Sequence, residues 1–307
     1  MGDVTSDHVR WLAEPSLQRP VLISAFTGWN DAGDAASSAL RTMIESWGAA
    51  PLAEIDPEMF TDFATVRPQV RLDDEHRRSI VWPTVGIWSA SLPGTDVILL
   101  LGPEPALRWR LFCEQIRAVA ERFDVAMAIS LGALLADVPH SRPVPLMGTA
   151  VDDALIDRFE LGRSQYEGPT GIVGVLYDSL SNAGIATASL WAAVPGYASQ
   201  VPSPKAALAL VERACSMLGT PAPLSQLARE AADYDAKVAA LIGDDDDMIE
   251  YLGRLEQLVD RDADDTTDSS VTGLAADLDP DTLDPDTVDP DALVEEVEQF
   301  LRDRDTD

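Results

Sequence analysis

From residue 21 the chain alternates short apolar runs with stretches in which apolar residues recur every three to four positions. Val21–Phe26 (VLISAF) has strand length and ends at Thr27-Gly28. From Ala32 to Trp47 a helical spacing follows, with Ala35, Ala36, Ala39, Leu40, Met43 and Ile44 on one side. The same criterion predicts strands at Leu52–Ile55, Ile80–Trp82 with Val85–Trp88, Val97–Leu101, Val125–Leu131, Pro145–Ala150 and Ile185–Val194. The runs at 97–101 and 125–131 are apolar throughout, as strands covered on both faces are. Between them, Pro105–Phe123 reads as a helix with proline in its first turn and Leu107, Leu111, Phe112, Ile116, Val119 and Ala120 on its buried side. Strands separated by helical patterns imply crossover connections, hence an α/β fold whose mainly parallel or mixed sheet carries helices on both faces.

After Tyr197 strand patterns cease. Pro204–Leu218, Leu224–Ile242 and Asp246–Val259 read as three consecutive helices. The expected organisation is an α/β core over 1–203, a helical appendage of the same domain over 204–261, an acidic disordered linker over 262–290, and a short amphipathic helix and terminus over 291–307. The linker contains three copies of D-P-D-[TA]-[LV], in which proline every fifth residue blocks a helix and dense aspartate opposes collapse. Leu293, Val297, Phe300 and Leu301 then form the stripe of the last helix.

Charge narrows the partners. Acidic residues outnumber basic ones 53 to 22 in 307 residues, for a net charge of -31. Residues 262–307 account for -15 of it and 1–261 for -16. Such a surface repels nucleic acid and anionic membranes. Met1–Glu14 lack the basic start and apolar stretch of a signal peptide, and no run approaches the ~20 apolar residues that span a bilayer, so the expected location is the cytoplasm. The two cysteines, Cys113 and Cys215, fall in amphipathic helices and read as reduced core residues.

Three loops carry the candidate chemistry. Gly28-Trp29-Asn30-Asp31-Ala32-Gly33 has the GxxxxG spacing of a phosphate-binding loop between strand and helix, but Asp34-Ala35 stand where that loop needs Lys and Ser/Thr, and a carboxylate there repels phosphate. The same residues suit a helix start, with Asp31 as cap and Asp34 near the positive end of the dipole. Asp137-Val138-Pro139-His140-Ser141-Arg142-Pro143 follows a buried strand, where open α/β sheets place their crevices. Ser130 or Ser141 with His140 and Asp137 has the residue types of acyl transfer. There is no G-x-S-x-G elbow, however, and the alternative is a proline-braced loop whose His140 and Arg142 bond backbone or a partner. Tyr166-Glu167-Gly168-Pro169-Thr170-Gly171 leads into a helix whose free N–H groups suit an anion, or which Thr170 caps. Gly28, Trp29, Asn30, Asp31, Asp34, Asp137, His140, Arg142, Tyr166, Gly168, Thr170 and Gly171 are therefore the candidates for binding a ligand or partner. They contain no catalytic set, and no cofactor is expected. His8, His76 and His140 are scattered and Asp244–Asp247 lack the Gly and distal Glu of a calcium loop, so no metal site is expected either.

Several segments together resemble the PAC2 family, named after the eukaryotic proteasome assembly chaperones. They are FTGWNDAGDAA (26–36), RSIVWP (78–83), LGPEP (101–105), GALLADVPHSRP (132–143), YEGPTGIV (166–173) and AAVPGYASQVPSPKA (192–206), within a match from about 15 to 260. The resemblance implies a three-layer α/β sandwich similar to phosphorylase/hydrolase-like sheets, self-association into a homo-oligomer, and proteasome or other protein subunits as partners. Arginine-heavy, lysine-poor usage suits an actinobacterial member. Gly196 stands where relatives often carry His, and the terminal Arg304-Asp305-Thr306-Asp307 lacks the hydrophobic-Tyr-X docking end of chaperone relatives. Some members carry an ATP-grasp or carboxylate-amine ligase label, which would make the loops the crevice of a small-molecule-binding protein or enzyme. That chemistry needs cations on the phosphates. The chain has only Lys205 and Lys237 as lysines, and they do not form a pair.

Overall fold

Residues 7–243 and 245–265 are described by the computed structural model, and the linker and terminal helix expected beyond lie outside them. Eight strands form one sheet: β1 (Val9–Trp11), β2 (Val21–Thr27), β3 (Ala50–Ile55), β6 (Val85–Leu92), β7 (Thr95–Pro103), β8 (Met127–Ala136), β9 (Leu146–Ala150) and β10 (Ala186–Pro195). Their order is β1-β3-β6-β7-β2-β8-β10-β9. The central strands β7, β2, β8 and β10 run parallel, and the flanks are antiparallel. The sheet is therefore mixed.

Alternation along the central strands supplies both cores. Val21, Ile23 and Ala25 of β2 face α1 (Ala35–Ser46) and α5 (Pro204–Leu218), whereas Leu22 and Phe26 face α2 (Trp109–Arg122) and α4 (Ile172–Asn182). Each layer of helices covers one face, which gives the three-layer sandwich. The first of the helices expected as an appendage, α5, belongs to the covering layer: Ala206, Ala207, Leu210, Val211 and Ala214 are fully buried. Onto it packs α6 (Ser225–Ile242), whose Tyr234 and Val238 close a small separate core with Ala198. The last described helix, α7 (Asp246–Asp265), continues four residues into the segment expected as linker. Asp245 begins it, its Oδ1 accepting from the N–H groups of Asp247 and Met248 at 3.1 Å. Both cysteines are buried and free.

Several boundaries differ from the sequence reading for local reasons. The second helix begins at Trp109, because Arg108 is left-handed (φ 54°) and the N–H groups of Ala106 and Leu107 are turned onto the Phe60 carbonyl; Pro105 lies before the helix. A 3₁₀ turn at Ala32–Asp34 precedes α1, with Gly33 and Asp34 both left-handed. The run around residue 80 divides at Pro83 into two sheets. Before it, β5 (Arg78–Val81) pairs antiparallel with β4 (Gln69–Leu72), a strand that too few apolar residues mark, and every residue of this hairpin is exposed. The edge strand β1 is three residues long and equally illegible. Among the described residues no helix is long and apolar enough to cross a membrane.

Candidate functional site

The loops that carry the sequence motifs leave the carboxyl ends of β2, β7, β8 and β10 or return to α4 beside them. After β2 the chain turns at Gly28, whose φ of 119° only glycine adopts without strain. Trp29 then projects into solvent, 67% exposed, while the next residue, Asn30, is 1% exposed. Asn30 Nδ2 donates to Glu104 Oε1 at 2.8 Å, and its carbonyl accepts from Ala133 N at 2.8 Å. Asp31 is buried and its Oδ1 accepts from Ser37 N at 3.0 Å, in the first turn of α1. It thus caps the helix as expected, but from three residues before the N-cap position, which Asp34 occupies without a side-chain hydrogen bond. Burial pushes the Asp31 carboxyl above its ordinary value despite the Ser37 bonds. Among the described residues Asn30 Oδ1 and Asp31 Oδ2 have no hydrogen-bond partner.

Glu104, immediately after β7, joins this loop to the one before α4. Its Oε1 accepts from Asn30 and from Ile172 N, each at 2.8 Å. The anion suited to the start of α4 is therefore the protein's own carboxylate, placed where the helix dipole favours it. The cap expected at Thr170 is corrected accordingly: Gly171 is the N-cap without a side-chain acceptor, and the Thr170 hydroxyl faces the Gly171 carbonyl at 3.5 Å. Glycine is required at 171, because a Cβ there would lie 2.8 Å from Asn30 Cγ. Tyr166 folds over Gly168 with its hydroxyl donating to the Pro169 carbonyl at 2.7 Å. Its ring is half exposed, as is the side chain of Leu107 on the segment after Glu104. Glu104 escaped the sequence reading as a site residue. Its signal was present in LGPEP, an acidic residue between two prolines directly after an apolar strand.

The third loop turns toward the C-terminal helices instead. Asp137 accepts from Tyr251 Oη at 2.7 Å, Ser141 bonds Glu256, and Arg142 forms a two-pronged pair with Asp260 at 2.7 and 2.8 Å. His140 is buried; its N–H donates to Tyr197 Oη at 2.8 Å, and its Nδ1 lies 2.9 Å from the same hydroxyl. The two clusters meet at the start of α5, where Ser203 N donates to the Gly33 carbonyl at 2.7 Å and Lys205 Nζ bonds both the His140 carbonyl and Asp235. The acyl-transfer constellation is not assembled: Asp137 and Ser141 bond Tyr251 and Glu256 of α7, the His140 ring bonds Tyr197, and Ser130 bonds Ser189 at 3.1 Å within the sheet. Among the described residues no three His, Cys, Asp or Glu side chains stand close enough to hold a metal ion.

Proton chemistry bears on how the third loop is held. Burial keeps the Tyr197 hydroxyl protonated, pushing its pKa up to about 12, so that hydroxyl donates to a neutral His140 Nδ1. Burial also pulls the imidazole below its ordinary 6.5, against Asp235 and Glu256 and with help from Lys205. A group whose folded value is depressed binds protons more readily when unfolded, so its stabilisation is complete above 6.5 and is lost as pH falls through the folded value. The melting temperature is expected to drop as pH falls below 6.5, and His140→Gln is expected to flatten that part of the profile. Parallel curves for the two proteins would show that His140 does not carry it.

A model of the PAC2 family matches residues 25–242. A PAC2 family protein from Streptomyces avermitilis is 42% identical, with 76% of this chain and 99% of that one covered at a TM-score of 0.72. A proteasome-assembly chaperone homologue from Mycobacterium tuberculosis is also 42% identical over 76% of this chain and 99% of its own, at a TM-score of 0.69. An archaeal proteasome activator from Pyrococcus furiosus, 16% identical, shares the fold at a TM-score of 0.63, with 76% of this chain and 97% of that one covered. No curated protein matches in sequence.

Proposed function

The chain belongs to the PAC2 family, and from that premise we propose that it is a non-enzymatic, self-associating assembly factor of the cytoplasm whose partners are protein subunits, those of the proteasome first. The observation that carries this reading is Trp29. A large ring 67% in water is carried on a loop that Asn30 and Asp31 anchor from below, so the loop has little conformational freedom left to lose on contact. Aromatic anchors of this kind concentrate binding energy at protein interfaces. Leu107 and Tyr166 add exposed apolar surface on the segments that Glu104 ties to the same loop.

The reading is tested with purified proteasome α-type subunits, by following both complex formation on native gels and the rate of particle assembly. The wild-type chain is expected to bind and to change that rate. Trp29→Ala is expected to weaken binding about tenfold while leaving the melting temperature unchanged, as for an exposed side chain. If neither the subunits nor other chains bind, and a nucleotide or amino acid raises the melting temperature stoichiometrically, the loops serve a small molecule and the proposal fails.

A further inference from the structure

The helix α7 is fastened to the body chiefly by polar groups. Of its described side chains, those of residues 246–261, only Leu255 is buried, while Met248, Leu252 and Val259 on the same side are half-buried. By contrast α6, of similar length, buries Leu227, Ala231, Tyr234, Val238 and Ile242. At one edge of the inward face of α7 the Tyr251 hydroxyl donates to Asp137 at 2.7 Å, and its ring stands edge-on to Tyr197 at 6.2 Å between centroids. At the other edge Glu256 accepts from Ser141, and Arg142 reaches both Glu256 at 3.4 Å and Asp260 at 2.7 and 2.8 Å.

These contacts act against the charge of the helix. Asp246–Asp265 hold eight acidic residues and two arginines, net -6, beside a body of the same sign. Arg142 answers two of the carboxylates. The side chains of Arg142 and Glu256 are about 30% exposed and that of Asp260 58%, so dissolved salt reaches and weakens both pairs. The loop that carries Arg142 is held without α7. The His140 N–H donates to Tyr197 Oη at 2.8 Å, and Lys205 Nζ, anchored on Asp235 at 3.0 Å, donates to the His140 carbonyl, so α5, α6 and the turn after β10 fix the loop from the body side. A lone helix of this length is marginal in water, so α7 loses its own order once it leaves.

We propose that α7 is an autoinhibitory strap, latched by its carboxylates over the Ser141–Arg142 loop, and that it masks a site for an acidic segment of another protein. Open, it leaves the Ser141 hydroxyl and the Arg142 guanidinium without their carboxylate partners, beside the Tyr197–His140 pair; a guanidinium with a neighbouring hydroxyl binds carboxylates. This regulation does not rest on the Trp29 contact proposed above. Amide hydrogen exchange of the full chain tests the strap. The α7 amides are expected to exchange about tenfold faster at about 1 M salt, where the screening length is about 3 Å, than at low salt, with β8 unchanged. Glu256→Gln with Asp260→Asn, changes confined to the helix, is expected to produce the same acceleration at low salt, as is Arg142→Ala. Arg142→Glu with Glu256→Arg and Asp260→Arg restores opposite charges and is expected to restore slow exchange, which decides the matter where Arg142→Ala loosens the loop itself. Protection of α7 that is equal in all these proteins and unmoved by salt would show that Leu255 and its neighbours hold the helix, and would overturn the strap. The site is tested with a fluorescent synthetic peptide of residues 246–265. It is expected to bind the Glu256→Gln, Asp260→Asn chain at least about tenfold more tightly than the wild type, and to lose that binding when Arg142→Ala is added. A peptide that binds none of the three, or binds them equally, would overturn the site.

Discussion

Glu104→Ala is expected to lower the free energy of unfolding by about 3 kcal/mol, the sum of two charge-assisted hydrogen bonds at roughly 1.5 kcal/mol or more each. The carboxylate serves Asn30 and the first N–H of α4 at once. Without it, Asn30, already lacking a partner for Oδ1, is left buried with both polar atoms unsatisfied. Water has little access there, since a side chain 1% exposed sits beneath a Gly171 that leaves no room for a Cβ. Glu104→Gln keeps an acceptor and loses the charge at the helix end, so about half the effect is expected. Denaturant unfolding of the three proteins measures this directly. A loss under about 1 kcal/mol in the alanine variant would show that the loops hold together without Glu104.

Phe112→Ala is expected to cost about 4 kcal/mol, within the range for removing a fully buried phenylalanine ring. Phe112 is 0% exposed and meets Phe26 and Phe60 edge-to-face, at 5.9 and 5.3 Å between centroids. The effect reaches the site because the Phe60 carbonyl holds the N–H groups of Ala106 and Leu107, the residues directly after Glu104 and Pro105. Trp29→Ala tests contact alone, whereas Phe112→Ala is expected to lower both stability and partner binding. Phe112→Leu, which refills most of the space, is expected to recover more than half of the loss. Equal melting temperatures for wild type and Phe112→Ala would mean that the aromatic cluster is not under packing load.

What the sequence conveyed follows the strength of each local signal. The central strands were legible because coverage on both faces leaves runs such as Val97–Leu101 without a polar break. The helix α5 was legible to the residue, since Ser203 caps it, Pro204 opens it and Gly219 closes it in a left-handed conformation. Strands β1 and β4 were not, because an edge or an exposed arm carries neither an apolar run nor a covered face to mark it. At the site, the sequence selected the residues of two loops that do converge, Gly28–Asp34 and Tyr166–Gly171. It grouped with them a third, Asp137–Arg142, whose own contacts are with α5, α6 and α7. That division depends on Tyr197, Lys205, Tyr251 and Asp260, residues 57 to 118 positions away from their partners. Spacing along a chain carries no trace of such pairings. Glu104 was hidden for the same reason, as its partners Asn30 and Ile172 lie 74 and 68 residues away.

The position of β2 constrains how the chain is made. It emerges early from the ribosome, yet in the finished sheet Val21 pairs with both Val97 and Met127. Its apolar residues therefore wait for their first neighbour until Val97 is synthesised, 76 residues on, and for the second until Met127, 106 residues on. Pairing across such separations is slow and leaves unpaired strand exposed to other chains. Nascent chains truncated before Ala136 are expected to engage holding chaperones, and those extended past Leu218, which supply β8, β10 and α5, to escape them.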